Sequence, residues 1–183
     1  MNVTLVDLTR ALDFAARKHR DQRRKGAAAE PYVNHLAEVA NLVAEATEGK
    51  DALLVLGALL HDTLEDTNTT PEELASAFGV DLAQLVAEVT DGKHLPKQER
   101  KRLQIETARG KSERTKVITI ADKTSNLRSI ISSPPKDWSS QRKREYFDRA
   151  AKVVEECRGV NAWLEQCFDD AYRRRSPPRC LTY

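Results

Sequence analysis

Apolar residues recur along most of this chain at the spacing of an α-helix. Leu5, Leu8 and Leu12 keep that period through the first segment and predict an amphipathic opening helix. A second helix is predicted after Asn34, which can cap its first turn. Because His35 lies on the apolar stripe of this second helix, we expect its side chain to point inward.

The next two helices are marked by the residues at their ends. A long apolar run predicts a helix from Asp51 to Asp66. In NTTPEELASAFG, Thr70 is predicted to be the N-cap, Pro71 the first helical residue and Gly79 the C-terminal stop. Glu73 follows Thr70 at the spacing of a capping box and is predicted to complete one.

The second half of the chain is also predicted to be helical. A helix is expected from Leu82 to Val89. The segment TKVITIADKTSNLRSII fits either a strand or a long helix, and its length favours the helix. SSPPKDW then breaks the chain before a helix that runs through Glu156, and a last helix fades near Arg173.

Length and composition limit the architecture. The 183 residues suffice for one well-cored domain, and 32% charged with 5% aromatic residues suits a helical protein. With no internal repeat or clear boundary, we predict one compact all-α bundle over residues 1–172. Residues 173–183, with the sequence RRRSPPRCLTY, are expected to form a mobile C-terminal tail.

Charge and cysteine content argue against several functional classes. Lys and Arg number 30 against 28 Asp and Glu, so a net charge of +2 predicts no binding to a nucleic acid polymer. Cys157, Cys167 and Cys180 show no CxxC spacing, which predicts reduced thiols and a cytoplasmic protein. No signal-peptide pattern and no run of about 18 apolar residues is present, so neither secretion nor membrane insertion is expected.

One short segment concentrates ionisable side chains. In LLHDTLEDT, one histidine and three carboxylates follow the most apolar run of the chain: His61, Asp62, Glu65 and Asp66. At helical spacing all four fall on one side, opposite the leucines that face the core. Partly buried carboxylates are costly unless a cation or a metal ion neutralises them. The segment therefore predicts a metal site.

A metal ion here needs ligands from another segment, because adjacent His61 and Asp62 supply only two donors. His19 ends a basic helix and His94 lies in a basic loop, whereas His35 lies on an inward stripe. We therefore predict His35 as the third ligand, which joins two helices at one site.

An oxygen donor is predicted from a further helix. Asp122 interrupts the apolar segment VITIADKTSNL, where an unpaired acid would be unfavourable. Two histidines and two aspartates would form a mixed nitrogen and oxygen site with space for water. Such a set is compatible with Mn²⁺, Fe²⁺, Co²⁺ or Zn²⁺.

The order of these residues along the chain resembles that of a known family. H, then HD, then D is the signature of the HD-domain metal phosphohydrolases, and HDTLED matches the HDxxED form of the RelA/SpoT-type guanosine tetraphosphate hydrolases. The similarity runs from about Leu8 to Leu164 and narrows to the small single-domain hydrolases related to the metazoan SpoT homologue. Four flanking segments add to it: RRKGAAAEPYVNH, VTDGKHLPKQERKRLQ, IADKTSNLR and REYFDRAAKVV.

This resemblance implies a role for each part of the site. Four residues would hold one metal ion per chain, usually Mn²⁺ in this family: His35, His61, Asp62 and Asp122. Glu65 and Asp66 match the family's catalytic pair, which would orient and deprotonate a water molecule on the metal. That water would attack the phosphorus of a 3′-diphosphate, and the ribose 3′-oxygen would leave.

The same resemblance implies a nucleotide-binding surface. Arg24 and Lys25 match the RK substrate motif, and Asn126 matches an asparagine near the ribose and phosphate. Three further residues match positions expected to border the pocket: Lys97, Arg142 and Tyr146. We therefore expect cationic side chains around the substrate phosphates.

The implied fold is the all-α HD bundle with its metal between helices, and the implied activity is degradation of the stringent-response alarmone. Guanosine 3′,5′-bis(diphosphate), ppGpp, or its pentaphosphate would give GDP or GTP and pyrophosphate, without synthetase activity. The same pocket also suits an NADPH 2′-phosphatase or a hydrolase of adenosine analogues, and a non-catalytic nucleotide sensor is the alternative outside enzymes. The preferred nucleotide, the metal loaded in cells and the oligomeric state stay open, with a homodimer as one option.

Overall fold

The computed structural model describes residues 3–92 and 95–175, and helices make up most of that length. The predicted all-α class is therefore confirmed. The predicted tail lies outside the described residues from position 176 onward, so its mobility and the domain boundary stay predictions. The helices in chain order are α1 (Leu5–Lys18), α2 (Val33–Ala46), α3 (Ala52–Leu60), α4 (Thr63–Asp66), α5 (Pro71–Phe78), α6 (Val80–Val89), α7 (Lys97–Ala108), α8 (Glu113–Ser132), α9 (Ser140–Glu155) and α10 (Ala162–Arg173).

Helix α8 runs through the centre of the bundle. Helices α2, α3, α6, α9 and α10 all pack against it, and α2 also packs along α3. Ile118, Ile120 and Leu127 of α8 are fully buried in one apolar cluster that extends through these helices. Within the described ranges, none of the helices has the length and apolar character needed to cross a membrane. The segments that carry the predicted ligands thus meet where α2, α3 and α8 pack together.

Gly57 allows α3 to approach α6 and α8 closely. A Cβ atom at this position would lie 2.7 Å from Leu85 Cδ2 and 3.2 Å from Ile118 Cδ1. We expect Gly57→Val to lower the free energy of unfolding by about 1–3 kcal/mol, because a close-packed core accepts extra methyl groups only with strain. Urea denaturation measures this change. Gly110→Val is the control, since Thr107 O, at 3.7 Å, is the only atom of the described residues near its Cβ position. An equal loss in both variants would contradict the packing role.

The residues predicted to begin and end α5 are confirmed, except for one contact at its N-terminus. Thr70 accepts a hydrogen bond from the Glu73 backbone N–H, Pro71 begins the helix, and Gly79 follows its end. The predicted capping-box contact from the Glu73 side chain is wrong, because that carboxylate pairs with Lys18 Nζ at 2.8 Å. A charged partner from α1 has replaced the local contact.

Two other local predictions can be compared with the structure, which also contains one helix that was not predicted. The segment TKVITIADKTSNLRSII is helical, as its length predicted, and lies within α8. Helix α2 begins at Val33 with Tyr32 at its N-cap, so the predicted cap at Asn34 is wrong. Helix α7 forms in the basic segment after Pro96, whose charged residues show no clear apolar stripe in the sequence.

The single helix predicted through Asp66 is wrong, because the backbone breaks inside the motif. Helix α3 ends at Leu60 and α4 begins at Thr63. Two side chains account for this, since His61 Nδ1 donates to Ala58 O at 2.8 Å and Thr63 Oγ1 donates to Leu60 O at 2.6 Å. Side-chain donors that bond the last carbonyl groups of a helix take the place of the next main-chain N–H groups.

Candidate active site

Four side chains from three parts of the bundle converge on one point. His35 belongs to α2, His61 and Asp62 lie in the break after α3, and Asp122 belongs to α8. His35 Nε2 lies 3.5 Å from Asp62 Oδ2 and 3.2 Å from Asp122 Oδ1. His61 Nε2 lies 3.1 Å and 3.8 Å from the same two oxygen atoms. The structure thus brings together the four residues for which metal ligation was predicted.

The imidazole rings are held with one nitrogen facing this point. His61 Nδ1–H donates to Ala58 O at 2.8 Å. Ser125 Oγ donates to Glu38 Oε2 at 2.7 Å and therefore accepts from His35 Nδ1–H at 2.9 Å. Both Nε2 atoms therefore face this point, and both are buried without a hydrogen-bond partner among the described residues. A neutral histidine whose second nitrogen is anchored in this way is the usual form of a metal ligand.

The charges in this centre also favour a cation. Burial alone would raise the pKa of the Asp62 carboxyl, but the His61 and His35 imidazoles hold it well below its usual value. Burial likewise opposes a charge on His61, yet the Asp62 and Asp122 carboxylates raise the pKa of that imidazole well above its usual value. A divalent cation supplies positive charge and bonds nitrogen and oxygen donors together, so the residues present fit such an ion.

Three donors hold the carboxylates of the centre in place. The Tyr32 hydroxyl donates to Asp62 Oδ2 at 2.6 Å. Lys123 Nζ lies 2.8 Å from Asp122 Oδ2, and Asn126 Nδ2 donates to Asp122 Oδ1 at 2.5 Å. Tyr32 and Lys123 are absent from the residues predicted from the sequence, although Lys123 directly follows a predicted ligand and Tyr32 ends the predicted RK loop.

Glu65 lies beside this centre on α4 and is largely shielded from solvent. Its Oε1 accepts a hydrogen bond from Arg100 Nη1 at 3.0 Å. Burial, followed by repulsion from Asp62 and Asp91, raises the pKa of Glu65 to about 7. A cavity of about 50 Å³ is lined by Glu65 together with His61 and Asp62. Glu65 can therefore act on a molecule held at the centre, and a bound cation would lower its pKa and keep it ionised.

Asp66 faces a second, larger cavity of about 270 Å³. Its Oδ2 accepts a hydrogen bond from Gln22 Nε2 at 2.8 Å. Arg24 Nη1 donates to Asn126 Oδ1 at 3.1 Å at the wall of this cavity. Four residues predicted to bind substrate line it: Arg24, Lys25, Asn126 and Tyr146. The two acids of the predicted catalytic pair thus look into different spaces.

The remaining two predicted residues, Lys97 and Arg142, are exposed and do not line the larger cavity. The Arg142 guanidinium lies 4.6 Å from the centroid of the Trp138 ring, which does line it. Burial, together with the charges of Arg149, Lys97 and Arg142, lowers the pKa of Lys101. Helices α7 and α9 therefore carry a group of cations beside the cavity, which suits a polyphosphate.

Comparison with known proteins adds independent findings. Residues 11–162 match the HD domain family. The human guanosine-3′,5′-bis(diphosphate) 3′-pyrophosphohydrolase MESH1 is 45% identical over 175 residues, which cover 96% of this chain and 98% of the human one. The Drosophila melanogaster protein of the same name is 46% identical over 164 residues, which cover 90% and 92%. A solved structure described as a metazoan ortholog of SpoT that hydrolyzes ppGpp matches with a TM-score of 0.90 at 43% identity, covering 96% of this chain and 99% of the other.

Proposed function

The chain belongs to the HD-domain family and is a metal-dependent phosphohydrolase, and from that premise we propose that it hydrolyses the 3′-diphosphate of guanosine 3′,5′-bis(diphosphate). The products would be GDP and pyrophosphate, and the pentaphosphate would give GTP. The human and fly relatives carry this substrate in their names, and the similarity extends over nearly their whole length. One observation carries the proposal: two buried imidazole nitrogens that have no hydrogen-bond partner in the described part of the chain face, with two carboxylates, a centre flanked by Glu65.

We propose that the centre binds one divalent cation, and Mn²⁺ is the ion expected from the family resemblance. The cation would acidify a water molecule and offset negative charge on the phosphoryl oxygens. The Nδ1 hydrogen bonds of His35 and His61 support this role, because they occupy Nδ1 and leave Nε2 as the nitrogen that faces the cation. Tyr32 supports it as well, because burial and Asp62 raise the pKa of its hydroxyl and keep it a donor to that carboxylate.

Glu65 and Asp66 would divide the handling of the attacking water. Glu65 lines the cavity at the centre, so we assign it as the base that accepts the water proton. Its contact with Arg100 would keep the carboxylate oriented while the proton moves. Asp66 lines the larger cavity and would orient the water from the substrate side.

The nucleoside and its phosphates would occupy the larger cavity. Arg24 and Lys25 would supply positive charge there, and guanidinium groups bind phosphate in two-point contacts. Asn126 bonds both Arg24 and Asp122, so it links the cavity wall to the centre and would lie near the ribose. The cations of α7 and α9 beside the cavity would bind the remaining phosphates: Lys97, Lys101, Arg142 and Arg149.

Two wider predictions are part of this proposal. The free thiols of Cys157 and Cys167 support the predicted cytoplasmic location.

Leu5 and Val80 are apolar side chains with 81% and 59% exposure, which a second subunit would cover in the homodimer considered above. Light scattering of the purified protein measures the oligomeric state.

Turnover of several nucleotides under one condition tests the proposed substrate. With Mn²⁺, we expect kcat/KM for ppGpp to exceed that for NADPH by about tenfold or more, because a diphosphate presents more charge to the cationic cavity than a single 2′-phosphate. Released pyrophosphate and phosphate are measured separately, with the adenine counterpart of ppGpp in parallel. Faster phosphate release from NADPH would replace the proposed activity, and tight ppGpp binding without turnover would indicate the sensor instead.

A further inference from the structure

His19 is a buried histidine that has no role in the site as described so far. It follows the last residue of α1 and is only 2% exposed, although its neighbours in the sequence are basic surface residues. Its ring stacks on the Tyr32 ring, with centroids 5.1 Å apart and an interplanar angle of 20°. Tyr32 is itself the donor to Asp62, so His19 lies directly behind the candidate metal centre.

A chain of hydrogen bonds leads from His19 to the candidate catalytic pair. His19 Nδ1 lies 2.5 Å from Gln22 Oε1. Gln22 Nε2 donates to Asp66 Oδ2 at 2.8 Å. One amide group therefore connects an imidazole behind the site to a carboxylate that lines the substrate cavity.

The direction of donation along this chain is determined by its chemistry. An amide oxygen can only accept, so His19 must carry its proton on Nδ1. The amide nitrogen of Gln22 is then turned towards Asp66, where it can only donate. A flipped amide would place its oxygen against the carboxylate, which can only accept. Asp66 therefore sets the orientation of the amide, and His19 Nδ1–H donates to the amide oxygen that faces away from Asp66.

The arrangement also leaves His19 Nε2 buried without a hydrogen-bond partner among the described residues. A buried unpaired acceptor is unfavourable, and such groups are uncommon in folded proteins unless another role retains them. A hydrophobic side chain would fill the same space behind Tyr32 without that penalty. Donation from Nδ1 to Gln22 is the property that only the histidine supplies.

The backbone around Gln22 holds the amide in position. The Gln22 N–H donates to His19 O at 3.0 Å, and Gln22 O accepts from the Tyr32 N–H at 3.1 Å. An isolated β-bridge between Arg23 and Pro31 closes the same loop. Because backbone contacts fix both ends of the loop, the Cα atom of Gln22 is held in place and its side chain extends from a defined position.

We propose that His19 and Gln22 are positioning residues that hold Asp66 for catalysis. Gln22 donates to Oδ2 of Asp66, which leaves Oδ1 to accept a hydrogen bond from water in the larger cavity. His19 acts through Gln22, by donating to the amide oxygen and holding the side chain in place. This inference rests on the proposed function, because it takes Asp66 as a member of the reacting machinery.

A double-mutant cycle tests the proposal. Gln22→Leu should lower kcat for pyrophosphate release by about 10- to 100-fold with KM changed less, since a misplaced group near the reaction loses rate more than binding. In an Asp66→Asn background, Gln22→Leu should lower kcat by less than about a further 2-fold, because Gln22 acts only through Asp66. Independent, multiplying losses in the double mutant would overturn the proposal.

His19→Phe tests the first contact of the same series of hydrogen bonds. Phenylalanine keeps the ring stacked on Tyr32 but cannot donate to Gln22, so we expect a loss of kcat similar to that of Gln22→Leu and no further loss when both are combined. His19→Asn, which retains a side-chain N–H donor, should restore part of the rate. Full activity of His19→Phe would overturn the role of the histidine.

Gln166→Leu is the matched control. Gln166 Nε2 donates to Asp170 Oδ1 at 2.9 Å on the exposed side of α10, which is the same amide-to-carboxylate contact outside the site. This variant should keep wild-type kcat and KM, while metal content and melting temperature are measured for all variants. A wild-type protein that releases no pyrophosphate would overturn the proposed function itself, whereas an active wild type with independent Gln22 and Asp66 effects would overturn only the positioning role.

Discussion

The Asp62→Ala variant is expected to lose its metal ion and, with it, at least about 10³-fold of its activity. Asp62 Oδ2 lies 3.5 Å and 3.1 Å from the Nε2 atoms of His35 and His61, so it is the oxygen that the two imidazoles share most closely. Without this carboxylate, two neutral nitrogens and Asp122 remain, and the negative charge that attracts a cation is halved.

Metal content and turnover of this variant are to be measured together. Plasma mass spectrometry after dialysis against limiting Mn²⁺ gives the metal bound per chain, and pyrophosphate release from ppGpp gives the activity. Asp81→Ala is a suitable control, because Asp81 is exposed in the first turn of α6. Retention of a full equivalent of metal by Asp62→Ala would contradict its role as a ligand.

The Glu65→Gln variant is expected to keep its metal and to lose about 10²- to 10⁴-fold in kcat. Glutamine has nearly the same shape, and its amide oxygen can still accept the hydrogen bond from Arg100, but it cannot take a proton from water. Glu65 also lies on α4, outside the four side chains that converge on the centre, and its Oε1 is bonded by Arg100. The change should therefore separate metal binding from proton transfer.

The same two measurements, applied to Glu65→Gln, decide between the assigned roles. Glu72→Gln serves as its control, since Glu72 is an exposed acid in the first turn of α5. Equal metal loss in the Asp62 and Glu65 variants would refute the division between ligand and base. Unchanged kcat in Glu65→Gln would mean that another group accepts the proton from water.

Parts of the site were predictable because their evidence is local. His35 lies on an apolar stripe and is 2% exposed, as the helical period indicated. Asp122 interrupts an apolar segment, and the cost of burying an acid there pointed to a partner before any contact was known. The motif LLHDTLEDT concentrates charge in so few residues that a cation was the physical way to hold it.

Other parts were not predictable, because they depend on the geometry of long-range contacts. Arg100 bonds Glu65 across 35 residues of sequence, from a helix whose charged residues show no apolar stripe. The break at His61 depends on two side-chain donors that a simple periodic pattern does not reveal. The Glu73 carboxylate does not make its predicted local contact for the same kind of reason, since it pairs with Lys18 of another helix.

By itself, the sequence predicted the helical class of this protein and the histidines and carboxylates that converge, and its resemblance to a known family implied the kind of reaction. The helical class and the converging residues follow from periodicity and from the chemistry of short segments, which need no knowledge of how helices pack. The tertiary structure alone decided which nitrogen of each histidine faces the centre, that Glu65 and Asp66 open into different cavities, and that Gln22 reaches Asp66 across 44 residues. Such features depend on distances of a few ångströms between elements remote in the chain, and only the packed bundle sets those distances.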